Sequence, residues 1–271
     1  MKIYKDKNSL IKEISKEKNV AFVPTMGALH KGHISLINKA KRESDKVLVS
    51  IYINPKQFNS SSDFNEYPRN ILKDIKLLKK KKINYIYLPS SKDILSFKTV
   101  SSVYLDKFSK ILCGKFRPCH FKSVVNVVNR FLEIIKPKSI YLGMKDYQQL
   151  ALIKSHILKN KINTKVVPCP TIRESNGVAL SSRNINLNKN QIKKAGKIYN
   201  YLKINKKKIL SKILNNKKSE ITNKLIQLGI KKIEYLECVN LKKLKICKNM
   251  KDNFNVFVAY YLGKVRLIDN L

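Results

Sequence analysis

Val20-Ala21-Phe22-Val23-Pro24-Thr25-Met26-Gly27-Ala28-Leu29-His30-Lys31-Gly32-His33 is the stretch on which the reading of this chain turns. An apolar run, Asn19–Val23, leads into a Gly-containing loop and then into two histidines three residues apart. Strand, loop, His-x-Gly-His and helix together make a nucleotide-phosphate site. A helix beginning near Gly32 points its unpaired N–H groups and positive dipole end back into the loop, where a triphosphate can sit. The glycines let backbone approach phosphate closely. His30 and His33 add side-chain donors along one edge, because residues three apart share a helix face. Such a pair can also be half of a metal site. No third ligand stands at a suitable spacing, since His120 and His156 are isolated and the cysteines form no C-x-x-C pair. No metal site is assigned.

The chain has 271 residues, 43% of them hydrophobic, enough for one large domain or two modest ones. Lys plus Arg total 57 against 18 Asp plus Glu, a net charge of +39 that by itself points to a polyanionic partner. Distribution argues otherwise. Lysines spread over the whole length in runs such as Lys79–Lys82 and Lys206–Lys208, with no aromatic stacking motif or nucleic-acid module among them. Lys, Ile and Asn are abundant together and Trp is absent, a bias that reads as compositional drift at exposed positions. No nucleic-acid partner is expected. Nor is a membrane: no stretch approaches the roughly 18–20 consecutive apolar residues of a span. The start, Met1-Lys2-Ile3-Tyr4-Lys5-Asp6, lacks the apolar centre of a signal peptide, so a cytoplasmic location is expected. Cys113, Cys119, Cys169, Cys238 and Cys247, irregularly spaced, read as free and mostly buried thiols.

Short β-branched runs alternate with helical patterns. Val47–Ile53, a helix near 68–81 and Ile83–Leu88 ended by Pro89 give the βαβ rhythm of a parallel sheet. Phe121–Ile135 and Tyr147–Leu158 read as helices, Ser139–Leu142 as a strand, and Thr164–Val167 as a strand closed by Pro168. From about Leu187 a Lys/Asn-rich helical segment runs to roughly 215, followed by a short helix near 219–228, strands Lys232–Val239 and Val256–Tyr261, and a hairpin turn at Gly263-Lys264 into Val265–Ile268. The expected fold is α/β, a Rossmann-like parallel sheet with helices on both faces over 1–180, plus a smaller C-terminal α+β domain over 181–271.

Four further segments carry polar residues that ordinary strand ends do not need. Asn54-Pro55-Lys56-Gln57 follows the second strand and Arg117-Pro118-Cys119-His120 opens a helix. Gly143-Met144-Lys145-Asp146-Tyr147-Gln148-Gln149 joins strand to helix, and Arg173-Glu174-Ser175-Asn176-Gly177-Val178-Ala179-Leu180-Ser181-Ser182-Arg183-Asn184 lies near the domain boundary. In open α/β sheets ligands bind outside the carboxyl ends of the strands, so these segments point to one composite site. In this order they resemble the pantothenate synthetases, the pantoate–β-alanine ligases of the nucleotidyltransferase-like Rossmann superfamily, from about Val20 to Leu187.

The resemblance implies that ATP and pantoate form a pantoyl-adenylate with loss of pyrophosphate, and that β-alanine then attacks the acyl carbon to give pantothenate and AMP. It places ATP against Met26–His33, Gly143–Asp146, Ile172 and Leu180–Arg183. His33 is then the central catalytic histidine and His30 its partner on the phosphates. Lys145 with Ser181, Ser182 and Arg183 forms a second clamp where charge grows on the leaving pyrophosphate. Gln57 and Gln149 hold pantoate, whose hydroxyls and carboxylate need neutral, directional partners, and Asn54 supports the same pocket. Asp146 either caps the following helix or binds the ribose, and Ile172 meets adenine through its backbone. Mg²⁺ arrives on the ATP phosphates. A homodimer is implied as well, and the C-terminal domain is expected to act as a lid over the adenylate. Met144 stands where Glu is usual, Asn176 where Asp is common and Cys119 where Gly is common. The first of these removes an anion beside Lys145. Two rivals are another nucleotidyltransferase-like enzyme, which would lack the Gln57 and Gln149 amides, and a basic nucleic-acid-binding protein, whose association would weaken steeply with salt.

Overall fold

A computed structural model describes residues 1–271. The elements in chain order are β1 (Lys2–Tyr4), α1 (Lys7–Ile14), β2 (Val20–Thr25), α2 (Lys31–Glu43), β3 (Lys46–Ile51), α3 (Ser61–Asn65), α4 (Ile71–Lys80), β4 (Tyr85–Tyr87), α5 (Ser91–Leu95), α6 (Cys113–Phe116), α7 (His120–Ile135), β5 (Ser139–Gly143), α8 (Tyr147–Lys159) and β6 (Lys165–Cys169). There follow α9 (Lys189–Ile204), α10 (Lys206–Leu214), α11 (Lys218–Gln227), β7 (Lys232–Asn240), β8 (Lys245–Ile246), β9 (Phe254–Leu262) and β10 (Val265–Asn270). They fall into two compact units, Met1–Ser109 with Arg117–Pro170, and Lys110–Phe116 with Thr171–Leu271.

The larger unit is built on a six-stranded sheet in the order β1-β4-β3-β2-β5-β6, every pair parallel. From β2 the chain steps out to β3 and β4, then returns to lay β5 and β6 on the other side. The order therefore reverses between β2 and β5, which is where such sheets open a crevice at their carboxyl edge. The apolar run Val20–Val23 is buried because both faces of a central parallel strand are covered. Ala21 and Val23 pack with Ile37 and Ala40 of α2 and Leu78 of α4. Phe22 points to the opposite face and meets Phe131 of α7, ring centroids 5.3 Å apart. Helices thus cover both faces.

Several boundaries differ from the sequence expectation, each for a local reason. β2 continues through Pro24 and Thr25, beyond the point at which β5 pairs with it, so the proline costs the β5 ladder nothing. Pro168 lies inside β6 rather than closing it, which an edge strand tolerates. The start of the chain, read only as lacking a signal peptide, supplies β1, held parallel to β4 through Lys2–Tyr4.

The smaller unit has an antiparallel four-stranded sheet, β10-β9-β7-β8. Ile198 and Leu202 of α9, Leu210 of α10 and Leu225 of α11 form its core with Leu236, Val256 and Val258. The single helical segment expected to 215 is broken at Asn205, whose amide donates to the Tyr201 carbonyl at 2.9 Å and ends α9. Residues 171–180 also belong here, so the division falls at 170/171 rather than 180/181. The cause is a hairpin bridged at Arg173 and Ala179, whose Arg173 guanidinium grips Asp269 at 2.6 and 2.9 Å and lies 4.4 Å over the Tyr199 ring. Gly177 at its turn has φ +90°, and a Cβ there would come within 2.0 Å of Tyr199 Cδ1. Lys110–Phe116 joins the same unit, with Cys113 Sγ 3.0 Å from Tyr235 Oη and the Phe116 and Tyr235 rings 6.0 Å apart. All five cysteines are free; only Cys119 is exposed. No helix is long and apolar enough to cross a membrane.

Candidate functional site

The carboxyl ends of the neighbouring strands β3, β2 and β5 deliver three loops to one edge of the larger unit. After β2, the chain turns through Gly27 at φ +76° and Ala28 at φ +49° before α2 begins. His30 is the N-cap of α2 and His33 its third residue, and they cap each other. His30 Nδ1 accepts from the Gly32 N–H at 3.1 Å, while His33 Nδ1 accepts from the His30 N–H at 3.3 Å. The rings lie 4.1 Å apart. With Nδ1 committed as an acceptor, each neutral imidazole carries its proton on Nε2. Both are neutral: burial, then the Lys145 charge, lowers His30 to about 4, and burial, then His30, lowers His33 to about 3. The site therefore offers two uncharged N–H donors rather than two cations.

Most backbone donors of this loop are already engaged within the protein. Gly27 N–H donates to Thr25 Oγ1 at 3.2 Å, Ala28 and Leu29 N–H donate to the Asp74 carboxylate at 2.8 Å each, and Gly32 N–H is taken by His30. The backbone donors expected to point at a ligand are largely used by the protein itself. The helix dipole remains at the N-terminus of α2, and the two Nε2–H groups are the side-chain donors left beside it.

After β5, Gly143 leads into a 3₁₀ turn, Met144–Asp146, and then α8. Asp146 makes no side-chain cap for α8, so the capping alternative does not hold; its Oδ1 lies 3.1 Å from Lys145 Nζ instead. That pairing also restores an anion beside Lys145 although Met144 supplies none. Of the two adjacent amides, Gln148 is buried and donates to the Phe108 carbonyl at 2.7 Å, whereas Gln149 stays half-buried.

After β3, Asn54 is 2% exposed and spends its amide on Lys56 N–H (3.2 Å) and the Ser123 carbonyl (3.3 Å), which fixes the turn that presents Gln57. The Gln57 side chain reaches Met26 Sδ at 2.6 Å, joining this turn to the β2 loop. The main-chain carbonyl of Gln57 accepts from Arg117 Nη2 at 3.1 Å and lies 2.7 Å from His120 Nδ1. Cys119, the N-cap of α7 between those two, has φ +62°, the conformation for which Gly is favoured. Arg117 and His120 stand in a polar segment to which the sequence assigns no role, and Asp74 lies outside every such segment.

In the smaller unit, Ser181 Oγ accepts from Arg183 N–H at 3.3 Å and caps the 3₁₀ turn Ser182–Asn186. The Ile172 carbonyl accepts from Leu180 N–H at 2.9 Å. Asn176 donates to the Ile192 carbonyl at 3.3 Å, a bond that an ionised Asp could not make. Nowhere in the chain do three His, Cys, Asp or Glu side chains gather to hold a metal ion.

Sheet order, switch point and a histidine-capped helix at the carboxyl edge define an α/β protein with a Rossmann-like parallel sheet and a candidate site at its switch point. The sequence model of pantoate-beta-alanine ligase matches residues 2–271. A pantothenate synthetase of Francisella tularensis subspecies novicida is 43% identical over 265 residues, covering 97% of this chain and 92% of that protein. Among solved structures, a pantoate-beta-alanine ligase from Francisella tularensis, complexed with beta-gamma ATP and beta-alanine, is 40% identical with a TM-score of 0.83 over 100% of this chain and 97% of that one. The pantothenate synthetase of Thermus thermophilus is 30% identical with a TM-score of 0.89, covering 100% and 99%. The chain belongs to the pantoate-beta-alanine ligase family and is an enzyme of that kind.

Proposed function

We propose that this chain joins pantoate to β-alanine through a pantoyl-adenylate, releasing pyrophosphate and then AMP. A carboxylate oxygen of pantoate attacks the α-phosphorus of ATP and the bond to pyrophosphate breaks. The amine of β-alanine then attacks the acyl carbon, the acyl–oxygen bond breaks, and AMP leaves while the nitrogen loses its proton. No protein nucleophile is needed, because AMP carries the acyl group.

The observation that carries the reading is the pair of neutral Nε2–H imidazoles, capped against each other beside Lys145. His33 and His30 would donate to phosphate oxygens without altering their own protonation, and Lys145 would supply charge for the leaving pyrophosphate. In the smaller unit Ser181, Ser182 and Arg183 would add the second set of donors, with Arg183 as a fork and Lys145 as a point charge. Gln57 and Gln149 would hold pantoate, and Asn54 would act through the turn that presents Gln57. Asp146 would face the ribose. Adenine would draw on the Ile172 N–H and on the lone pair its carbonyl keeps after pairing with Leu180. Without a cluster of protein ligands, Mg²⁺ would be held by ATP phosphates and water, neutralising charge there. Cytoplasmic location, homodimeric assembly and a lid role for the smaller unit belong to the same reading.

The test is to supply ATP, Mg²⁺, β-alanine and pantoate labelled with ¹⁸O in its carboxylate. AMP carrying one ¹⁸O should appear together with pantothenate, and only when pantoate is present. ADP as the stoichiometric product, or AMP without label, refutes the adenylate.

A further inference from the structure

Asp74 lies in the first turn of α4, far in sequence from every motif above, and is 3% exposed. It does not serve its own helix: Asn70 caps α4 by accepting from Lys73 N–H at 3.0 Å. Both carboxylate oxygens turn instead to the loop after β2. Oδ2 accepts from the Ala28 N–H and Oδ1 from the Leu29 N–H, each at 2.8 Å. These donors belong to a tight turn in which Gly27 and Ala28 are both left-handed, and it turns two successive N–H groups to one side, where an anion fits. Fit is close enough that a Cβ on Gly27 would come within 2.9 Å of Oδ2. No salt bridge balances this carboxylate, and burial pushes it above the usual range against the pull of the two N–H groups. A buried anion beside a loop meant for a polyanion costs binding energy unless it does something else.

We propose that Asp74 is a positioning residue for the nucleotide: an internal anion that fixes the Gly27–Leu29 backbone and thereby sets the His30 and His33 imidazoles toward the phosphates. Leu29 immediately precedes the N-cap, so the two N–H groups held by Asp74 determine where the reciprocal histidine cap starts. The inference rests on reading Met26–His33 as the ATP loop.

Asp74→Asn keeps the volume and one acceptor but presents an NH₂ to a backbone donor, and so breaks the grip at one point. The expected result is a KM for ATP raised at least tenfold with the KM for pantoate within twofold of the parent. Long-range ¹H–¹⁵N spectra of the imidazoles should also show His30 and His33 losing their uniform Nε2–H tautomer. A KM for ATP within twofold of the parent, or equal rises for both substrates, overturns the proposal. His33→Ala, measured alongside, separates the two levels. If it weakens ATP while Asp74→Asn does not, only the role of Asp74 falls; if neither weakens ATP, the loop is not the ATP site and the proposal falls with it. Should Asp74→Asn fail to fold, Gly27→Ala displaces the same carboxylate without removing it and must give the same split between substrates.

Discussion

Acidification should unfold this protein partly through its histidine cap. His30 titrates at about 4 and His33 at about 3 in the folded chain, against about 6.5 when unfolded. Below 6.5 the unfolded chain binds protons that the folded one refuses, so stability is fully present above that pH and is lost as pH falls toward the folded values. Each histidine contributes a slope of at most about 1.4 kcal/mol per pH unit in that window. Between pH 7.5 and 5.0 the pair can therefore withdraw about 4 kcal/mol. Both rings line an accessible edge and are only partly buried, so solvent relaxation should reduce this to about half. The comparison is with His30→Asn/His33→Asn, in which Oδ1 takes the place of Nδ1 as the cap acceptor and nothing titrates. Urea midpoints followed by far-UV circular dichroism at pH 7.5 and 5.0 give the two slopes. The variant should lose about 2 kcal/mol less than the parent over that interval. Equal losses would mean that the imidazoles are not held neutral by the fold, and the argument for uncharged donors would fail.

His33→Ala should slow adenylate formation by about 10²–10³-fold, the range for removal of one donor to developing charge, measured as pyrophosphate release in a single turnover. Gln57→Ala and Gln149→Ala should each weaken pantoate by about 1–3 kcal/mol with little effect on ATP, read from separate Michaelis constants; equal weakening of both substrates would remove these amides from the pantoate pocket. Gly177→Ala should destabilise the smaller unit by several kcal/mol, about the size of an overpacking clash plus a strained φ, because its Cβ would overlap Tyr199; a melting temperature unchanged from the parent refutes this. A chain ending near Leu187 should bind ATP weakly and make no pantothenate, and full ligase activity from it would rule out the lid role.

The parallel sheet was legible because its central strands are continuous apolar runs ended by loop residues, a signal that survives without any knowledge of partners. Val20–Val23 and Ser139–Leu142 announce themselves in this way, whereas Lys2–Tyr4 has only a position beside β4 to mark it as a strand. The histidine pair was legible as a site, but its mode of action was not. A sequence shows that a helix N-terminus has spare donors; it does not show that Asp74, 45 and 46 residues away, and the histidines themselves consume them. Asn205 hid a helix break inside a run of good helix formers. Lys110–Phe116 gave no periodic signal because its partners, Tyr235 and Arg266, are 122 and 153 residues away from Cys113.

That last separation bears on how the molecule can be made and remade. The seven residues Lys110–Phe116 leave the ribosome well before the strands that receive them, so Cys113 and Phe116 must wait for their partners until β7 and β10, which carry Tyr235 and Arg266, have been synthesised. The smaller unit cannot reach its final state as an autonomous C-terminal fragment. Nor can it be exchanged as a cassette between relatives: a graft of Thr171–Leu271 that leaves the native 110–116 behind confronts Tyr235 and Arg266 with a stranger's segment, and a working chimera has to carry both pieces together.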